Sequence, residues 1–174
     1  MVEFSVRQAS LDDIDAVYQL YLSVAKTPGG LARLETEINR EYIQRVVTQS
    51  CTCGLIFVAE SDGQLLGEIH GYKSELFCFS HVISEVTIAV APTAQGQGVG
   101  RALFQQFMDC IRSNLPQVLR VELIARESNR KAISFYESLG FNQEGCFDHR
   151  IRNVDGTLES DIPMAWCRER SMFE

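Results

Sequence analysis

The sequence predicts a mixed α/β fold in a single domain. Three observations point there. A chain of 174 residues with 45% apolar content can bury a real core without splitting into two. Runs of period two and runs of period 3.6 alternate along it, in the order β-α-α-β-β-β-α-β-α-β-β. Near the middle a strand pattern passes through clustered glycines straight into a helix pattern, over residues 85–104.

Residues 2–8 alternate and read as a strand. Ser10-Leu-Asp-Asp13 has the form of a capping box. Ile14, Val17, Tyr18, Tyr21 and Leu22 then mark a helix to about Lys26, broken by Thr27-Pro-Gly-Gly30. A second helix is expected from about Leu34 to Thr48, with Ile38, Tyr42, Val46 and Val47 inward. Residues 55–60 form a strand, Asp62-Gly63 a hairpin turn, and residues 64–74 the return strand. The run 81–90, rich in Val and Ile, is a third strand of that series.

Pro92 ends the strand by removing a backbone donor. Gly96, Gly98 and Gly100 permit a tight turn, and Leu103, Phe104, Phe107, Met108 and Ile111 follow at helical spacing over 99–113. Leu115-Pro116 closes that segment, and Leu119–Arg126 is another strand. A helix over 130–139 stops at Gly140, a residue suited to the position after a helix. Residues 141–152 and 158–168 make a closing hairpin across Asn153-Val-Asp-Gly156, with Ile162, Met164 and Trp166 on one face.

The strand, glycine turn and helix start at 85–104 together form an anion site. The first helical N–H groups have no partner inside the helix, and the helix dipole adds about half a positive charge there. Small residues let a phosphate approach the backbone. The chain has no Gly-x4-Gly-Lys-Ser/Thr run, which excludes a P-loop. The dinucleotide fingerprint fails as well. Its third glycine would fall on Arg101, and Arg120 stands where an acidic residue is expected about 20 residues on.

What fits is Gln-x-x-Gly-x-Gly, carried by Gln95, Gly98 and Gly100. This resembles the pyrophosphate loop of the GNAT superfamily of acyl-CoA-dependent N-acyltransferases. A second segment strengthens the resemblance: Asn129-Arg-Lys-Ala-Ile-Ser-Phe-Tyr-Glu-Ser-Leu-Gly-Phe is similar to the family's Asn…Ala-x-x-Phe-Tyr-x-x-Leu-Gly-Phe. The resemblance implies one GNAT domain over residues 2–170, built on a twisted mixed sheet with helices on both faces. It also implies that the strands 81–90 and 119–126 splay apart to admit the cofactor's pantetheine arm.

The resemblance further implies an N-acetyltransferase moving an acetyl group from acetyl-CoA to a primary amine, with a small molecule as acceptor. Two alternatives stay open: acetylation of a protein N-terminus or lysine, and a CoA-binding module without catalysis. Backbone N–H groups across Gln95–Arg101 would cradle the pyrophosphate, with Gly96, Gly98, Val99 and Gly100 central and Arg101 facing either the phosphates or solvent. Val90 and Ala91 fall where the family's strand bulges and pairs with pantetheine amides, and a backbone N–H there would polarise the thioester carbonyl. Asn129 matches the family's cofactor-contacting asparagine and also suits a helix N-cap.

For chemistry, Tyr136 is the candidate acid, because a phenol can protonate a leaving thiolate. Packing in the core is its alternative role. Glu85 is the candidate base and resembles the acidic residue there in phosphinothricin-type acetyltransferases. Its neighbours Val82, Ile83, Val86 and Ile88 make burial one reading, which would tune a carboxylate toward basicity; a salt-bridged or edge-exposed carboxylate is the other. Glu122, His81, His70 and ordered water are rivals. Arg33, Glu35 and Glu37 are candidates for holding an acceptor, against a plain solvated role.

The net charge of −7 argues against nucleic-acid binding, which needs a basic face. No apolar run reaches membrane-spanning length, and Met-Val-Glu-Phe-Ser-Val-Arg lacks the form of a signal peptide. The expected location is the cytoplasm. The six cysteines are then free thiols, and their spacing offers no metal site. The expected partners are a small-molecule amine and, as an allowed assembly, a second copy in a homodimer.

Overall fold

The computed structural model describes residues 3–27 and 31–169. The elements are β1 (Ser5–Gln8), α1 (Ile14–Ala25), α2 (Arg40–Cys53), β2 (Gly54–Ser61), β3 (Gln64–Tyr72), β4 (Val82–Val90), α3 (Val99–Asn114), β5 (Arg120–Arg126), α4 (Arg130–Ser138), β6 (Asn142–Gln143), β7 (Phe147–Arg152) and β8 (Leu158–Cys167). The mixed α/β class read from the sequence is the class found. The chain falls into two compact units, Met1–Tyr72 with Thr87–Pro116, and Lys73–Val86 with Gln117–Glu174. β4 runs through both: Val82–Val86 belongs to the second unit and the rest of the strand to the first.

In the first unit the strand order is β1-β2-β3-β4, with β1–β2 and β2–β3 antiparallel. The β2–β3 turn is the expected one. Asp62 and Gly63 both take positive φ, 49° and 76°, the two left-handed residues that a tight hairpin of this hand needs. Successive strand residues point to opposite faces. At Gly67 the face of β3 meets Leu103 and Val99 of α3. At Glu68 it meets Tyr21 of α1. Helices therefore cover both faces here. Val17, Leu20, Tyr21, Val24, Ile43, Val47, Ile56 and Val58 form the core on the α1–α2 side.

The capping box at Ser10 forms as expected: Asp12 N–H donates to Ser10 Oγ (3.3 Å) and Ser10 N–H to Asp13 Oδ2 (2.8 Å). Arg7 of β1 grips the same carboxylate with two bonds, 2.9 and 2.7 Å. That grip holds the Asp13 carboxyl below its ordinary range.

The second helix differs from expectation. It starts at Arg40, not near Leu34, because Asn39 caps it through Tyr42 N–H (2.8 Å). Glu35–Glu37 instead makes a single tight turn closed by the Glu37 carboxylate on Leu34 N–H (2.9 Å). The helix runs past Thr48 to Cys53, since nothing before Gly54 breaks it. The break expected at Thr27-Pro-Gly-Gly30 lies mostly outside the described residues, as do the ends of the 2–170 span.

In the second unit the order is β4-β5-β8-β6, with β7 also on β8. β4 and β5 are parallel, and their register is two residues long: Val82 opposite Arg120 and Ile83 opposite Val121. β5 continues to Arg126 against β8 instead. The closing hairpin turns at Asn153–Gly156 as expected, with Gly156 N–H on Asn153 O (2.9 Å). Its first arm, however, is two strands, β6 and β7, parted at residues 144–146, where Gly145 has φ 158°; within β7 the register on β8 shifts between Phe147 and Ile151, where His149 has φ 54°.

Candidate active site

In the first unit the turn after β4 leads through left-handed glycines into α3. Gly96 and Gly98 adopt φ 75° and 87°, a region that residues with a Cβ rarely enter. Gly98 is the N-cap of α3 and has no side chain to close the helix start. A Cβ at Gly96 or Gly98 would meet nothing within 4 Å, so the cradle is open above both. Val99 is buried and anchors the first turn, while Gln95 and Arg101 are exposed. Gln95 Nε2 reaches back to Val90 O (3.4 Å) and ties the loop to the strand end. At Gly100 an added Cβ would make ordinary contact with Val90 Cγ2 (3.4 Å) and Ile88 Cδ1 (3.7 Å). This third glycine is not demanded by the fold.

Two expectations for β4 need correction. Ala91 N–H donates to Leu66 O (2.9 Å), so it is already engaged and does not face a thioester. The left-handed residue of the strand is not at Val90 or Ala91 but at Glu85, φ 53°. Of the two readings of Glu85, buried or exposed, the exposed one is found. It differs in this from Val82 and Ile83 before it. A non-glycine residue held in this region is strained, and such strain gathers at functional sites.

In the second unit Asn129 Oδ1 accepts from Ala132 N–H (3.1 Å) and caps α4, so the N-cap role is real. Its amide nitrogen is a separate donor on an exposed side chain. Tyr136 sits about two turns further on, half-buried, with ring centroids 5.6 Å from Phe135 and 6.2 Å from Phe141. Burial raises its hydroxyl from 10.0 to about 12. Gly140, φ 91°, then reverses the chain.

The rival bases separate by environment. Glu122 is paired with Arg120 Nε (2.6 Å), which also holds Glu144, and this ion pair accounts for its charge. His81 is exposed. His70 is buried beside Glu68 and Tyr21, a grouping the periodicity did not reveal because the three come from two elements. The acceptor candidates Glu35 and Glu37 have local partners, Lys26 (3.7 Å) and Leu34 N–H. Arg33 lies over the ring of Tyr42 at 4.0 Å.

The family model described as an acetyltransferase (GNAT) domain matches residues 52–143, more than half of the chain. The chain belongs to the GNAT acetyltransferase family. The GNAT match includes the glycine turn, Glu85, Asn129 and Tyr136. Among curated GNAT relatives, the [ribosomal protein bS18]-alanine N-acetyltransferase of Escherichia coli K12 is 45% identical over 84 residues, covering 47% of this chain and 55% of that protein. The mycothiol acetyltransferase of Thermomonospora curvata is 41% identical over 90 residues, 51% of this chain and 28% of that protein. The spermidine N(1)-acetyltransferase of E. coli K12 is 30% identical over 120 residues, 68% of this chain and 61% of that protein. The chain thus spans less than two thirds of the length of each.

Solved GNAT structures share the fold across nearly the whole chain. A GNAT-family acetyltransferase from Streptococcus pneumoniae superposes with a TM-score of 0.86 at 15% identity, covering 95% of this chain and all (100%) of that one. YncA of Salmonella typhimurium, described as a putative acetyltransferase with its cofactor acetyl-CoA, gives 0.82 at 18% identity, covering 97% and 96%. No described helix of the present chain is long and apolar enough to cross a membrane.

Proposed function

We propose that this chain transfers an acetyl group from acetyl-CoA to a primary amine of a small molecule. The observation that carries the reading is the open, left-handed turn at Gly96 and Gly98 at the uncapped start of α3. That geometry fits a pyrophosphate: the first N–H groups of α3 have no side-chain cap, the dipole favours the anion, and no Cβ blocks approach. When bound, acetyl-CoA supplies an activated acyl thioester. The acetyl-CoA-bound neighbour supports this choice of cosubstrate.

The chain's residues then divide the work. Gln95, Gly96, Gly98, Val99, Gly100 and Arg101 bind the phosphates, with Val90 and Ala91 shaping the strand end beside them. Asn129 adds a side-chain amide donor to the cofactor while its oxygen caps α4. Tyr136 keeps its proton at neutral pH, since burial raises it to about 12. It acts first as a hydrogen-bond donor to the leaving sulfur and releases its proton only as charge builds there. Glu85, an exposed carboxylate in a strained bend, engages the acceptor's ammonium.

A small amine is favoured by the acidic net charge of −7 and by the spermidine enzyme, whose match covers the largest share of this chain among these relatives. A second reading, acetylation of a protein N-terminal alanine, is favoured by the higher identity to the bS18 enzyme. Incubation with acetyl-CoA, a pool of small amines and peptides with N-terminal alanine, followed by mass spectrometry, decides. Acetylated small amines support the first reading, acetylated peptides alone replace it with the second, and no acetylated product removes the enzymatic proposal. A cytoplasmic homodimer completes the proposal, tested by cell fractionation and sedimentation.

A further inference from the structure

The α1–α2 side of β3 carries a buried polar cluster that the roles above leave unused. Glu68 is 0% exposed, Tyr21 1% and His70 2%. Tyr21 O–H donates to Glu68 Oε2 at 2.8 Å. His70 Nδ1 lies 3.0 Å from Glu68 Oε1 and 3.3 Å from the Tyr21 oxygen. The His70 ring stacks on Tyr72 at 6.2 Å with an interplanar angle of 8°. Among the described residues, further groups face the cluster. α2 presents Tyr42, 6.5 Å from Tyr21, with Arg33 and Arg45 over its outer face. β2 presents Ile56 opposite His70.

The bonding pattern fixes the chemistry of the imidazole. Tyr21 is held well above its ordinary range by burial and by the Glu68 charge, so it stays a donor. With Glu68 as a carboxylate both of its oxygens accept, and Nδ1 supplies the hydrogen of the second bond. That places the lone pair of the neutral ring on Nε2. Both contacts of the ring fall on Nδ1. Nε2 is not an enclosed atom lacking a partner; among the described residues Ser50 Oγ is the one such side-chain atom. The small exposed part of His70 therefore includes Nε2.

Its place along β3 is also suggestive. Leu66 O takes the N–H of Ala91, and the Gly67 site touches Val99 at the start of α3. His70 lies three residues further, about 10 Å along the strand. A long arm separates the pyrophosphate of the cosubstrate from its thioester, so the reacting end belongs away from the loop rather than at it.

Enclosing a carboxylate is costly, and an apolar pair would fill the space at less cost. A carboxylate that orients an imidazole and leaves its outer nitrogen bare is the arrangement of a general base. Resting on the amine-acetyltransferase reading, we propose that His70, oriented by Glu68 and Tyr21, is the residue that takes the proton from the acceptor's ammonium. Nε2 binds that proton directly or through one water. The N–H bond breaks, its electron pair stays on nitrogen, and the neutral amine can attack the acyl carbon. The imidazolium formed faces the Glu68 carboxylate and returns its proton to water after transfer. Glu68 and Tyr21 are positioning residues in this scheme.

The test uses the full chain. Nitrogen-15 spectra of the wild type at neutral pH should show His70 protonated at Nδ1 and bare at Nε2, and the opposite tautomer overturns the proposal. Thiol release from acetyl-CoA is then followed with spermidine, free amino acids and an N-terminal-alanine peptide as probes. On the probe that wild type turns over, His70→Gln should lower kcat/KM by about 10²-fold and remove the acidic limb of its pH profile. Acetyl-CoA affinity by calorimetry should not move. Glu68→Gln should lower kcat and disturb the tautomer while the limb persists. An intact limb in His70→Gln, or rates in both variants that fall only in step with lost folding, overturns the assignment. Wild type inert on every probe would instead strike the acetyltransferase reading, and the assignment with it.

Discussion

Gly67 of β3 has no side chain because Val99, the first residue of α3, stands against it: an added Cβ would lie 3.1 Å from Val99 Cγ1. The same Cβ would be 2.8 Å from Leu103 Cδ1 and 3.0 Å from Ala89 O. Two side chains and a backbone oxygen would have to give. This contact sets where the start of α3, and with it the anion cradle, lies on the strand. Gly67→Ala should lower stability by about 1–3 kcal/mol through overpacking and also weaken acetyl-CoA binding. Denaturant unfolding and calorimetry on one sample check both. Unchanged affinity would show that the cradle tolerates a shifted helix start.

Gly98 and Gly100 should behave differently although both belong to the motif. Gly98 has φ 87°, so Gly98→Ala carries a conformational cost of about 1–2 kcal/mol even though its Cβ would meet open space. It should also weaken acetyl-CoA binding, since relaxing the bend re-aims the backbone donors. At Gly100 a Cβ makes ordinary contacts, and Gly100→Ala should leave the melting temperature nearly unchanged. Any loss of affinity in Gly100→Ala would then report close approach of the ligand itself. Parallel thermal melts and titrations separate the two cases.

For Glu85, exposure on a strained bend predicts a binding effect more than a proton-transfer effect. Glu85→Gln should raise KM for the amine by about tenfold, roughly 1.4 kcal/mol, with the acidic limb of the pH profile kept. Acetyl-CoA affinity should stay the same. Loss of that limb would return the role of base to Glu85.

Tyr136→Phe keeps the ring contacts with Phe135 and Phe141 and deletes the proton. Turnover should fall by about 10²-fold, roughly 2.7 kcal/mol of barrier, with acetyl-CoA affinity unchanged. The hydroxyl titrates at about 12, so no basic limb from this residue should appear below pH 10 in the wild type. Full activity in the variant would leave solvent as the proton donor.

Asp13 predicts a pH signature in stability. Its folded-state carboxyl is held low, chiefly by the hydrogen bonds from Arg7. A depressed carboxyl contributes stability above its unfolded value of about 3.9, and that contribution is lost as pH falls through the folded value. Asp13→Asn should cost about 1–3 kcal/mol at pH 7, from the lost charged bonds and cap. The gap in melting temperature from wild type should close as pH drops below 4. A gap that stays constant with pH would mean that the lost bonds, not the charge, carry the effect.

The sequence by itself determined the fold class, most of the order of elements and the glycine turn before α3. These depend on local rules: period two or 3.6, glycine where φ is positive, and asparagine as a cap. Asn129 capping α4 and Gly98 opening α3 were legible for that reason. Local signals also misled where a neighbour competed, as when Asn39 rather than Leu34 opened α2. Burial or exposure of Glu85 stayed open, because the strand's apolar composition favours burial, whereas its left-handed backbone and exposure appear only in the fold. Only the tertiary structure decided that Ala91 N–H is already engaged by Leu66, that Gly67 must be bare beside Val99, and that Tyr21 meets Glu68 and His70. Each of these joins residues distant in sequence, and a periodicity along one element holds no information about which element packs against it.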